Sequence, residues 1–146
     1  METTLRAERE QAGLTQARLA ELAGIAPSNL SAMESGARAA SPQMVARLRR
    51  HMRRPSQVLD EHRQAVLDAV ARCGAQRPRI FGSVARGTDE PGSDLDIIVY
   101  VPVENAWRFG SLQPALVDIL GIDVDVVSEN GLSVKNRRIL DEAVPL

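Results

Sequence analysis

The sequence predicts a small all-α domain over residues 1–54 followed by an α/β (α+β) domain over residues 55–146. Three observations carry that expectation. The first third holds apolar residues at helical spacing, separated by Thr, Ser and Gly signals for helix starts and stops. From residue 79 onward, short β-rich runs alternate with helical stretches, a pattern of strands joined by helices. Charge divides at the same boundary: residues 1–54 hold nine Arg and five Glu, whereas residues 55–146 hold nine Arg or Lys and fourteen acids, in a chain of net charge −1. A basic front end suits a polyanionic partner, and an acidic back end suits a metal site or a basic protein partner.

Taken in order, Thr15 is a good N-cap, Leu19 and Leu22 are spaced for a buried stripe, and Gly24 supplies a tight turn. Leu30 and Met33 repeat the apolar spacing in a second helix, capped by Ser28 or its neighbour. Two short helices meeting at a sharp angle have the geometry of a helix-turn-helix. A fourth helix spans about Pro42 to His51, and Arg53-Arg54-Pro55 makes a joint. Ser56 is expected to cap the next helix, which carries Val58, Leu59, Val66, Ala69 and Val70 and ends before Gly74. Arg79-Ile80-Phe81 reads as a strand, Ser83 to Arg86 as the first turn of a helix, and Leu112 to Leu120 as a helix between two strands. A terminal helix closes the chain.

The chemistry lies in Gly82-Ser83 and, ten residues on, Asp94-Leu95-Asp96. Side chains alternate along a strand, so Asp94 and Asp96 share one face while Leu95, Ile97, Val99 and Val101 line the other. Two carboxylates about 4 Å apart repel by roughly 4 kcal/mol at an effective dielectric of about 20, and a divalent cation reverses that cost. Oxygen-only ligands suit Mg²⁺ or Mn²⁺. Gly82 removes a side chain where backbone must approach phosphate, and the Ser83 hydroxyl with the free N–H groups of the new helix can hold anionic oxygens. Arg86 adds a cation. The strand Ile122 to Val127 carries two acids on one face, with Asp125 the expected third ligand and Asp123 the alternate.

These residues give residues 56–146 a resemblance to the minimal nucleotidyltransferases of the DNA polymerase β superfamily, found as antitoxins in HEPN/MNT toxin–antitoxin pairs. The likeness implies a mixed β-sheet, with the triphosphate of ATP bound by Gly82, Ser83 and Arg86. It also implies two Mg²⁺ ions held by Asp94, Asp96 and Asp125, the last also activating the acceptor hydroxyl. It further implies transfer of AMP to a hydroxyl, a tyrosine, on a HEPN-family toxin, in a hetero-oligomer with that toxin. No acceptor-shaping helical domain is recognisable, so the acceptor is expected from the partner.

Gly13-Leu14-Thr15-Gln16, Leu19-Ala20 and Ser31-Ala32-Met33-Glu34-Ser35-Gly36 resemble the Xre/Cro-like helix-turn-helix family. That likeness implies operator DNA as a partner and autoregulation of the operon. Gln16 and Arg38 would contact the backbone, while Ser28, Asn29 and Ala32 would face the major groove, with two copies paired on half-sites. Pro27 stands where many relatives carry a polar base-reading residue.

The same residues are open to two other classes of function. One is an antitoxin and repressor acting by stoichiometric binding with the nucleotidyl site idle; the other is a self-sufficient enzyme modifying a small molecule. No signal segment or membrane span is recognisable, so a cytoplasmic protein without membrane contact is expected. Cys73 is the single cysteine, and His51 and His62 lack zinc spacing. Trp107 and Phe109 fall in a linker between strand and helix.

Overall fold

The computed structural model describes residues 4–132 and 136–146. The chain separates into two compact units, residues 1–54 and 55–146.

The first unit holds α1 (Leu5–Gln11), α2 (Gln16–Ala23), α3 (Pro27–Ser35) and α4 (Pro42–His51). Hydroxyls cap three of the four: Thr4, Thr15 and Ser41 accept from the N–H groups of Ala7, Arg18 and Met44. Each satisfies one of the orphan donors that open a helix. α3 differs from expectation. Its N-cap is Ala26, which has no side chain to bond, and Ser28 lies inside the helix. Pro27 at the first helical position has no N–H, so one donor fewer needs a partner there. α2 ends on Gly24 at φ +71, the left-handed stop the sequence suggested.

Leu19, Ala20, Ala23, Leu30 and Leu48 form the fully buried core of this unit, with Leu5, Leu14, Ile25, Met33, Met44 and Met52 packed around it. Leu22, expected in the buried stripe, is only half-buried. Ala20 and Ala23 take the inner positions instead.

The second unit begins with α5 (Pro55–Arg72), whose path kinks at His62. His62 Nδ1 lies 3.0 Å from the Val58 carbonyl oxygen across that kink. Then follow β1 (Gln76–Phe81), α6 (Gly82–Arg86), β2 (Leu95–Tyr100), a 3-10 segment Val103–Ser111, α7 (Leu112–Leu120), β3 (Val124–Ser128), α8 (Arg138–Glu142) and β4 (Val144–Pro145). The sheet has the order β3-β2-β1-β4. β2 and β3 run parallel, whereas β1 pairs antiparallel with both β2 and β4, so the sheet is mixed. Parallel neighbours need a crossover, and α7 supplies it. β4 was not anticipated; it is two residues long, and a run that short carries no periodicity to detect.

Leu95, Ile97, Val99 and Val101 are buried and pack with α5 and α7 residues such as Val66, Val70, Leu112 and Leu116. Ile98, on the opposite face of β2, is also fully buried. On the acid-bearing face, Ile98 is buried between the half-buried Asp96 and Tyr100, and Asp96 stands at the open beginning of the strand. Phe109 joins the core, while Trp107 is 82% exposed.

Ser56 does not cap α5 as expected. The carboxylate of Asp89, from the loop between α6 and β2, accepts the Ser56 N–H at 2.9 Å, and the Ser56 hydroxyl is buried without a partner.

Candidate functional site

Strand register builds the site. Asp96 sits opposite Phe81 of β1 on one side and Asp125 of β3 on the other. Phe81 is followed at once by Gly82, where the chain leaves β1 and turns into α6. Gly82 has φ +70, and a Cβ built there would overlap the Asp96 carboxylate. The glycine thus has two independent reasons to be glycine: a left-handed backbone and a neighbouring acid occupying the space a side chain would take. Residues distant in sequence, the Gly-Ser turn and the second acid of Asp-x-Asp, are in direct contact.

Asp94 lies one residue before β2 and is exposed, Asp96 is half-buried, and Asp125 is exposed. Exposed as the residue is, partial desolvation of its carboxyl by the neighbouring chain raises Asp94 from its ordinary value, reinforced by the charges of Asp125 and Asp123. Asp96 is raised in the same way, by burial first and then by Asp125 and Asp94, while Arg86 opposes the shift. Desolvation and like charge both disfavour the ionised forms. Asp123 reaches this field, and its carbonyl accepts the Leu95 N–H at 3.0 Å, tying the start of β2 to the turn before β3.

The donor set, carboxylate oxygens from two adjacent strands, fits a hard divalent cation in chemical type. The three acids sense one another's charge, yet no three His, Cys, Asp or Glu side chains among the described residues are gathered closely enough to hold a metal ion as they stand. Of the two, the register is the firmer guide, because backbone pairing places the residues and carboxylate rotamers adjust to a ligand.

Arg86, expected to meet phosphate, forms an ion pair with Glu142 of α8. Glu142 also reaches Asp96 electrostatically, so the pair borders the acid site. Nothing local in the sequence marked Glu142, which approaches from 56 residues away. Ser83 occupies the opening turn of α6, and its carbonyl accepts the Thr88 N–H at 2.9 Å.

In the first unit the proposed DNA residues divide. Ser28 and Arg38 are exposed, and Arg38 Nη1 donates to Asn29 Oδ1 at 3.0 Å, so these two residues are brought together. Ala32 is half-buried, and its carbonyl accepts the Arg38 N–H. Gln16 instead turns toward Glu34, donating to its carboxylate at 2.6 Å. Glu34 also receives Arg9 Nε at 2.6 Å, and Arg9 Nη1 donates to the Leu14 carbonyl. Burial works to raise the Glu34 carboxyl, but the hydrogen bonds from Arg9 and Gln16 outweigh it and hold the group below its ordinary value. The sequence motif showed Glu34 but not this polar node, in which side chains from α1 and α2 reach across to Glu34 of α3.

Residues 5–59 match a helix-turn-helix family, and residues 59–146 match the family of nucleotidyltransferase domains. The chain belongs to the nucleotidyltransferase-domain family. A protein of Methanocaldococcus jannaschii, named provisionally as a protein adenylyltransferase, is 32% identical over 88 residues, covering 59% of this chain and 95% of that one. A second protein of the same organism and the same provisional name is 39% identical over 54 residues, covering 36% of this chain; the chain spans 63% of that relative's length. A solved structure described provisionally as a minimal nucleotidyltransferase superposes with a TM-score of 0.57 at 43% identity, over 62% of this chain and 95% of the other. No helix among the described residues is long and apolar enough to cross a membrane.

Proposed function

We propose that residues 55–146 transfer AMP from ATP to a hydroxyl, a tyrosine, of a HEPN-family ribonuclease toxin, and that residues 1–54 bind operator DNA as paired copies. The protein is then an antitoxin that disables its partner covalently and represses its own operon. The observation that carries the catalytic reading is the packing of Gly82 against Asp96, with Asp125 in register beside it. A Gly-Ser turn beside acids on two adjacent strands supports a reading in which the turn binds phosphate and the acids serve nucleotidyl transfer.

In this reading Ser83 and the opening N–H groups of α6 hold triphosphate oxygens, and Arg86 leaves Glu142 to join them. Asp125 accepts the proton of the acceptor hydroxyl, whose oxygen forms a bond to the α-phosphorus as the bond to the β-phosphate oxygen breaks and pyrophosphate leaves. Two Mg²⁺ ions bound by Asp94, Asp96 and Asp125 would supply charge neutralisation at the phosphates. The provisional names of the relatives agree with protein adenylylation.

The test is incubation of the cognate toxin with this protein, Mg²⁺ and labelled ATP. AMP on the toxin, absent with the Asp94→Asn and Asp96→Asn variants, supports the reading; an inhibited but unmodified toxin overturns it. The dispersed carboxylates and the Arg86–Glu142 pair favour a second reading, stoichiometric neutralisation with an idle site. It requires that both Asn variants still protect cells.

A further inference from the structure

Asp89 is buried, 4% exposed, and no part of the scheme above uses it. It lies in the loop between α6 and β2, three residues beyond Arg86 and five before Asp94. Its carboxylate docks on the Ser56 N–H at the first turn of α5, 33 residues away in sequence. Ser56 is the second residue of the helix, inside it rather than at the capping position, so its hydroxyl is no acceptor for its own N–H. The buried Asp89 carboxylate accepts that orphan N–H from across the fold, while the Ser56 hydroxyl is buried without a partner. Burying an acid is the more expensive solution for the helix alone. What the long-range contact supplies, and a local cap would not, is a fixed position for the loop.

The rest of the loop is stitched with equal care. The Thr88 N–H bonds to the Ser83 carbonyl, and Glu90 and Ser93 exchange two bonds, Glu90 N–H to Ser93 Oγ at 3.0 Å and Ser93 N–H to the Glu90 carbonyl at 2.9 Å. One end of the loop is thereby tied to the Gly-Ser turn, and the other closes on itself in the residues just before Asp94. Between them, Asp89 provides the anchor to α5, whose Val58, Leu59, Val66 and Val70 sit in the core.

We propose that Asp89 is a positioning residue for the acid site: anchored on the Ser56 N–H, it sets where the loop delivers Asp94 relative to Ser83 and Asp96. This rests on the reading that Asp94, Asp96 and Asp125 hold a divalent cation. Loss of the anchor frees Asp94 while leaving the strand-borne Asp96 and Asp125 in register.

The full chain is titrated with Mn²⁺ alone, followed by the electron paramagnetic resonance signal of the free ion, as wild type, D89A, D89N and V70A. Val70 is 2% exposed and lies in α5, so V70A destabilises the same unit without touching the loop. The expected result is affinity at least tenfold weaker in D89A, within about threefold of wild type in D89N, which keeps a carbonyl acceptor for the Ser56 N–H, and unchanged in V70A. Hydrogen exchange of the amides of residues 88–95 should quicken in D89A alone. If D89A binds Mn²⁺ as wild type does, or V70A weakens it equally, the positioning role is refuted while the acid site stands. If wild type binds no Mn²⁺, the acid-site reading fails and this proposal with it.

Discussion

Replacing Asp96 by Asn should make the second unit more stable and less able to use a divalent cation. Residues in register on neighbouring strands lie about 4.8 Å apart, where two full charges repel by about 3.5 kcal/mol at an effective dielectric of 20 and about 0.9 kcal/mol in water. Asp96 is half-buried and Asp125 exposed, so solvent screening brings the penalty toward the lower figure, about 1 kcal/mol. The sign follows from the direction of the shift. The folded state holds the Asp96 carboxyl above its ordinary 3.8, so the native protein binds the proton more tightly than the unfolded chain. Stability from that preference is complete below 3.8 and is lost as pH rises through the folded value. At pH 7 the charge is therefore a burden that Asn removes. A domain of 60–100 residues gains about 4–8 °C in Tm per kcal/mol. Calorimetry of both proteins in EDTA should show D96N melting higher by about that amount at pH 7 and by little at pH 3. Added Mg²⁺ should raise the wild-type transition and leave D96N nearly unmoved. A D96N transition lower than wild type in EDTA at pH 7, or a gain equal at both pH values, would refute the reasoning.

Gly82→Ala places a Cβ against the Asp96 carboxylate at φ +70, a conformation that costs an L-residue about 1–2 kcal/mol. A lower Tm and transfer at least a hundredfold slower are expected, and a G82A protein with the wild-type rate contradicts the site as drawn. In the first unit, Glu34→Ala leaves the buried Arg9 with the Leu14 carbonyl and only a distant acid, Glu10, for a loss of about 3 kcal/mol. Hydrogen exchange in α1–α4 should rise while the amides of β1–β3 stay protected. Because Glu34 is held below its ordinary 4.5, its contribution is complete above that pH and fades as pH falls through the depressed value. Glu34→Gln should make exchange in α1–α4 insensitive to that acid range. If the first unit binds DNA, Arg38→Ala should weaken binding across sequences and lower the salt slope by about one, read by anisotropy at several salt concentrations.

Much of the fold was legible because its signals are local. Thr15, Gly24 and Pro42 punctuate helices through their own backbone chemistry, and the alternation from Leu95 to Val101 marks a strand with one buried face. The reading failed where a partner came from afar. Ser56 looked like a cap, but Asp89 took that place across 33 residues; Ser28 looked like a cap, but Pro27 reduced the need for one. β4 was missed because its two residues become a strand only by pairing with β1.

The site shows the same division. Spacing alone pointed Gly82, Ser83, Asp94 and Asp96 toward one chemistry and offered Asp125, or else Asp123, as the third acid, since period-two alternation and a Gly-Ser turn are properties of a few consecutive residues. Only the tertiary structure decided that Asp96 fills the space beside Gly82, that Asp125 lies in register with it, and that Glu142 holds Arg86. Sequence carries the types and local directions of side chains. Their meeting depends on strand pairing and crossover packing, which bring together residues that no local pattern connects.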